Sequence, residues 1–239
     1  MFLENLVLDA ADPLRVGRFW AAALGARPLT VTPELYEARL ELGDGSSLDL
    51  CIPQVPEVTT SPLRLHMDLL GGPRQQEIAE RLRGLGAADL DIGQQDVAWI
   101  VLGDPEQLPF CVMEERSAYT GTGPIAALPL DSADVDRDAA FWARLTGWTD
   151  APGVAPRTLR HPSGHGPLLE LCPEPAPKQP GEKNRVHLDV RLEAGEDPDA
   201  AAALVADLGG RELAHDWGAL PWRVYQDPSG NEFCILPAP

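Results

Sequence analysis

Carboxylates, imidazoles and thiols recur at alternate positions of short apolar runs in this 239-residue chain. Side chains of a strand alternate between its two faces, so in Ser47–Ile52 the residues Leu48, Leu50 and Ile52 oppose Asp49 and Cys51. In Leu65–Leu69, Leu65, Met67 and Leu69 oppose His66 and Asp68. The same alternation sets Leu169 and Leu171 against Glu170 and Cys172, and Phe233 and Ile235 against Glu232 and Cys234. His187 and Asp189 repeat the pair His66 and Asp68. Such strands give a sheet with one dry face for helices and one face of ligand-type residues, the sequence form of a cupped binding site. Asp68 and Asp189 could serve as general bases beside the histidines, or simply orient them. Trp99, Trp217 and Trp222 could line a pocket or belong to the core. Arg64 and Arg185 share the polar face by parity and could neutralise part of its charge. The chain has no phosphate-binding loop, dinucleotide fingerprint or Ser-His-Asp signature.

The elements that would position these residues occur twice. Phe19-Trp20 returns as Phe141-Trp142, LDLC ending at Cys51 as LELC ending at Cys172, and LHMD around His66 as VHLD around His187. WIVLGDP from Trp99 returns as WRVYQDP from Trp222, and Phe110-Cys111 as Phe233-Cys234. The offsets are 122, 121, 121, 123 and 123, so few insertions separate the copies. The join falls in the turn-rich stretch Ser117–Pro124. Each copy reads as strand, helix, strands, twice over. Asp12-Pro13 starts a helix with Val16, Trp20, Ala23 and Leu24 on one face, and Gly25 stops it. Asp134 and Gly147 bracket its counterpart, while Pro73 and Pro198 open the second helix of each copy. DPSG at Asp227–Gly230 is a β-turn sequence, and DPEQ in copy one predicts a different turn.

Composition narrows the functions. A hydrophobic content of 44% supports packed cores rather than disorder. The net charge of −18 excludes nucleic acid as a partner, because phosphates demand a basic surface. No segment approaches the roughly 18 apolar residues of a membrane span, and the first residues lack a signal-peptide pattern, which predicts a cytoplasmic protein. Cys51, Cys111, Cys172 and Cys234 then read as reduced thiols.

Asp12-Pro13, Phe19-Trp20, Gly25, NRVHLDV at Asn184–Val190 and DPSGNEFC at Asp227–Cys234 resemble the glyoxalase-like branch of the vicinal oxygen chelate superfamily. That superfamily includes glyoxalase I, extradiol dioxygenases, fosfomycin-resistance enzymes and bleomycin-resistance proteins. The resemblance implies an α+β fold of two tandem glyoxalase-like domains, residues 1–118 and 122–239. Each domain comprises paired βαβββ modules, with a curled mixed sheet around a cavity. It also implies that the tandem chain makes internally the pairing that other members often make across a dimer, giving a monomer or a homodimer.

In the metal-dependent members four strand positions, usually His, Glu, His and Glu, hold a divalent ion. Carried onto this chain they become Asn5, Asp49, His66 and Cys111 in copy one and Ala127, Glu170, His187 and Cys234 in copy two. Neither set matches. Three readings stay open: a hydrogen-bonded cavity wall with no cofactor, a zinc-type metal on Glu170, His187 and Cys234 near Cys172, or thiol chemistry. The resulting expectation is a bleomycin-resistance-like protein that binds a drug or metabolite, with a metal-dependent lyase, isomerase or dioxygenase as the alternative. Its small-molecule ligand, neutral or cationic, would meet Asp49, His66, Asp68, Glu170, Cys172, His187, Asp189, Trp222 and Cys234.

Overall fold

The structure, a computed structural model, describes residues 1–43, 45–215 and 218–239. The chain forms four βαβββ modules in succession. Module 1 is β1 (Phe2–Leu8), α1 (Pro13–Leu24), β2 (Arg27–Val31), β3 (Leu35–Glu41) and β4 (Ser47–Pro53). Module 2 is β5 (Asp68–Leu70), α2 (Gln75–Leu85), β6 (Ala88–Asp89), β7 (Ile100–Gly103) and β8 (Pro109–Met113). Module 3 is β9 (Ile125–Ser132), α3 (Val135–Thr146), β10 (Thr149–Asp150), β11 (Arg157–Arg160) and β12 (Leu168–Pro173). Module 4 is β13 (Val186–Arg191), α4 (Pro198–Asp207), β14 (Arg211–Glu212), β15 (Arg223–Gln226) and β16 (Glu232–Leu236).

The helix boundaries follow their caps. Asp12 and Asp134 accept from the backbone N–H of Arg15 and Arg137, and Gly25 and Gly147 close the helices at φ 71° and 72°. Asp197 caps α4 in the same way, with Pro198 at its first position. In module 2, Pro73 instead lies in a 3-10 turn over Gly72–Arg74, and α2 begins at Gln75.

The modules do not pair within a copy. The first sheet runs β14-β15-β16-β13-β1-β4-β3-β2, joining module 1 to module 4 through the antiparallel seam β1–β13. The second sheet runs β10-β11-β12-β9-β5-β8-β7-β6, joining module 3 to module 2 through β5–β9. Each sheet thus takes one module from each copy. The expected strand over Leu65–Leu69 is reduced to an isolated bridge, Leu65 to Leu130, followed by Asp68–Leu70.

Within a copy the modules meet on the helix side. The Trp20 indole donates to Asp104 at 3.1 Å and its ring lies 4.9 Å from Phe110; Trp142 donates to Asp227 at 3.2 Å and lies 5.3 Å from Phe233. One apolar core therefore fills the space between the sheets, with Trp20, Phe110, Trp142 and Phe233 all buried in it. The repeated Phe-Trp and Asp-Pro motifs are the two halves of this lock.

The two Asp-Pro turns also agree, against the expectation from DPEQ. Asp104 accepts from the N–H of Glu106 and Leu108, and Asp227 from that of Ser229 and Asn231. Gln107 takes φ 61° where Gly230 takes 82°, so copy one keeps the turn by holding a side-chain residue in the left-handed region.

Candidate functional site

Each sheet has a face turned away from the helices, and the strand pairing determines what stands on it. Across the first sheet one rung reads Asp49, Asn5, Asp189, Cys234 on β4, β1, β13 and β16. The corresponding rung of the second sheet reads Leu168, Ala127, Asp68, Cys111 on β12, β9, β5 and β8. These faces are the first and second clefts.

The first cleft is a hydrogen-bonded polar floor. The Asn5 amide donates to Asp189 Oδ2 at 3.1 Å, and His187 Nε2 lies 3.5 Å from Asp189 Oδ1 and 3.8 Å from Cys234 Sγ. Arg39 donates to both oxygens of Asp49, at 2.8 and 2.7 Å, which satisfies that carboxylate. Asp189 Oδ1 is buried with no hydrogen-bond partner among the described residues, although only 5% of the residue is exposed. Burial raises Asp189 above the ordinary carboxylate range, opposed by His187 and the Asn5 bond.

The second cleft repeats half of this floor and fills the other half. His66 Nε2 stands 3.4 Å from Asp68 Oδ1, which likewise lacks a hydrogen-bond partner among the described residues. Tyr119, from the 3-10 turn Ser117–Tyr119 between the copies, is buried against Val101, Cys111, Met113, Ala127 and Leu168. Arg116 donates to the Tyr119 hydroxyl at 3.2 Å and sits 5.7 Å above the Trp99 ring. Glu170 adjoins this group, accepts from the Val154 N–H at 3.1 Å, and is raised by burial and by the charge of Asp68. In the first sheet the matching apolar cluster is Val224, Cys234 and Leu236 with Leu213 and Leu220, which holds no aromatic ring among the described residues.

The predicted residues are therefore regrouped. Asp49, His187, Asp189 and Cys234 belong to the first cleft, and His66, Asp68, Glu170 and Cys172 to the second. The trio Glu170, His187 and Cys234 does not assemble, because β12 lies in one sheet and β13 and β16 in the other. The trios that do assemble are His66, Asp68, Cys111 and His187, Asp189, Cys234, with donor atoms within 4.8 Å of one another. LDLC and LELC are also two residues out of structural register: Asn5 pairs with Asp49, whereas its counterpart Ala127 pairs with Leu168. A slip of two preserves the face, so Glu170 still points into a cleft, at the place that Cys51 holds in the first sheet. Trp222 precedes β15 and is 37% exposed, and Trp217 lies outside the described residues. Arg64 offsets part of the second cleft's charge through Asp131, but the hydrogen bonds of Arg64 and Arg185 serve another purpose. They tie the copies together, Arg64 through Asn231 at 2.7 Å and Glu174 at 2.8 Å, Arg185 through the Glu106 carbonyl at 3.2 Å. Glu232 is held by Lys178. Sequence reasoning missed Arg39, Arg116 and Tyr119; the one available signal was an aromatic residue inside a turn-rich linker.

The four cysteines are unpaired thiols. Burial, reinforced by Asp189 for Cys234 and by Asp68 for Cys111, pushes both well above the ordinary thiol range. Burial and Glu170 push Cys172 up to about 12. None is poised as a nucleophile. The four-ligand metal site that the fold implies does not fit either rung, since Asp49 is spent on Arg39 in one and Leu168 and Ala127 cannot ligate in the other. A His-Asp-Cys trio does suit zinc, provided the thiol gives up its proton. A separate hollow of about 540 Å³, bordered by Leu3, Leu48, Trp148 and His161, contains none of the predicted residues.

A family profile described as glyoxalase-like domain matches residues 5–113 and again 127–236. No curated protein matches the chain. Among solved structures, glyoxalase I from Zea mays superposes with a TM-score of 0.63 at 15% identity, over 99% of this chain and 92% of that one. A candidate dioxygenase from Bacillus subtilis superposes with a TM-score of 0.60 at 15% identity, over 100% of this chain and 86% of that one. At these identities the likeness speaks for the fold alone. With both halves matched by one profile, the chain belongs to the glyoxalase-like domain family, as a tandem pair.

Proposed function

We propose that this protein binds a small organic molecule in the first cleft, with a metal site too degenerate to carry the chelation chemistry of the family. The observation that carries this reading is the Asp189 carboxylate. One oxygen is bonded to Asn5, and the other, buried and without a hydrogen bond among the described residues, faces His187 Nε2 at 3.5 Å. A buried acceptor left without a donor costs free energy, and a ligand N–H or O–H would recover it. Of the neighbouring carboxylates Asp49 is answered by Arg39 and Glu4 by Arg191, while Glu37 opposite Cys51 adds negative charge, so the cleft favours a neutral or cationic molecule over an anion. A thermal-shift panel of cations, neutral compounds and carboxylates tests this, run on the wild type and on Asp189→Asn. Stabilisation by cations or neutral compounds that disappears in the variant is the expected result. Stabilisation by anions only, or hits indifferent to Asp189→Asn, would refute it.

The His187, Asp189 and Cys234 trio supports a second reading, a zinc-dependent enzyme whose substrate takes the open coordination position. Equilibrium dialysis against zinc followed by metal analysis separates the two. Retention of one equivalent, lost in His187→Ala, would favour the enzyme.

A further inference from the structure

Both trios set a buried aspartate between a histidine and a cysteine, but only one of the aspartates is held by an amide. Asn5 pairs with Asp189 across the seam of the first sheet and donates to its Oδ2. The residue that pairs with Asp68 across the other seam is Ala127, which has no donor to offer. Asp68 is 5% exposed, and its Oδ1, without a hydrogen-bond partner among the described residues, faces His66 Nε2 at 3.4 Å. Cys111 stands on the paired position of β8, with its thiol against the same carboxylate. The surroundings add negative charge. Glu170 adjoins Asp68 and is bonded to the Val154 N–H, and Arg116 is committed to Glu114 and to the Tyr119 hydroxyl. Tyr119 occupies the apolar part of the cleft, over Ala127 and Leu168, while the His66 side chain, 32% exposed, leaves a small ion a way in.

From these observations we infer that His66, Asp68 and Cys111 bind one zinc-type divalent ion, a structural ion that completes the filled second cleft. The three donor atoms already lie within 4.8 Å of one another. An imidazole, a carboxylate and a thiolate together suit zinc rather than magnesium or calcium, which take oxygen ligands. The set differs from the four-strand one that the fold implies. Its donors come only from β8 and the start of β5, and Asp68, two residues past His66, stands in for the ligands that Ala127 and Leu168 cannot supply. On binding, Cys111 Sγ bonds to the ion and its thiol proton passes to solvent, while the ion answers the buried Asp68 carboxylate. An ion gains less at the His187, Asp189 and Cys234 trio, where the Asn5 amide already serves Asp189. The inference goes beyond the small-molecule reading of the first cleft and is independent of it.

Dialysis of the full chain, first against a chelator and then against zinc, followed by metal analysis, tests this. The expected result is one equivalent retained and a higher thermal midpoint with zinc than without. His66→Ala, on a partly exposed ring, and the near-isosteric Asp68→Asn and Cys111→Ser should each weaken retention by about tenfold or more, and His187→Ala should keep it. Cobalt bound in place of zinc should give the wild type a sulfur-to-metal charge-transfer band in the near ultraviolet, which reads thiolate ligation whether or not any variant folds. Failure to retain zinc, retention undiminished in Cys111→Ser, a cobalt spectrum without the sulfur band, or zinc lost with His187→Ala would each overturn the inference. None of these outcomes touches the small-molecule reading, which is tested with organic compounds on Asp189→Asn.

Discussion

At the same rung the first cleft carries Asp49, Asn5, Asp189 and Cys234, the second Leu168, Ala127, Asp68 and Cys111. Modules 2 and 4 supplied the same aspartate and cysteine to both. The divergence lies in modules 1 and 3, where a polar half became an apolar one. That change and the burial of Tyr119 belong together. An aromatic ring laid over Asn and Asp side chains would strip them of water without replacing their hydrogen bonds, whereas Ala127 and Leu168 lose nothing by it. One duplicated surface has thus become core, and its twin has stayed chemically equipped.

The largest expected effect lies at the plug. Tyr119→Ala empties a fully buried site and should cost about 3–5 kcal/mol in urea unfolding, by analogy with other large aromatic deletions, while Trp222→Ala should change stability by less than about 1 kcal/mol. Equal losses at the two sites would erase the contrast. The next effect exchanges the rung residues. Ala127→Asn would bury an amide under the Tyr119 ring at about 1–3 kcal/mol, and Asn5→Ala would forfeit its bond to Asp189 at about 1 kcal/mol. If both substitutions are silent, the rungs are not what separates the clefts.

A third comparison is pH-dependent. Burial raises Asp189, so the native state holds its proton more tightly than the unfolded chain. The stability this confers is complete below the unfolded pKa of about 3.9 and falls as pH rises through the higher native value. The unfolding free energy of the wild type minus that of Asp189→Asn should therefore decline from about pH 4 towards neutrality. A flat difference would mean that the carboxyl is not desolvated as described. The smallest effect sits where the copies differ in sequence but not in shape. Gln107→Gly should stabilise by about 1 kcal/mol, because Gln107 sits at φ 61°. Gly230→Gln should destabilise by a similar amount in the same thermal unfolding assay, since Gly230 sits at φ 82°.

Much of the fold was legible. Caps at Asp12 and Asp134, stops at Gly25 and Gly147, and the alternation around Asp49, His66, Glu170 and His187 define elements and faces from local chemistry alone. Partner choice was not legible. β1 can complete its sheet with β5 or with β13 using the same alternating pattern, and the exchange between copies is decided by how the helices lock at Trp20–Asp104 and Trp142–Asp227. Grouping Glu170 with His187 and Cys234 therefore joined residues of different sheets. The two-residue slip at LDLC and LELC was hidden because a period of two restores the same face. Tyr119 was hidden by its setting, since a turn-rich linker offers no periodicity to show which side chain turns inward.

The most direct test matches two chemically identical substitutions at equivalent places, Asp189→Asn and Asp68→Asn. Ligands from the thermal-shift panel are titrated calorimetrically against both variants and the wild type. A single site that Asp189→Asn weakens by tenfold or more, ~1.4 kcal/mol, and that Asp68→Asn leaves intact, is the result predicted by an equipped first cleft and a filled second one. Equal loss in both variants, or two sites in the wild type, would contradict it.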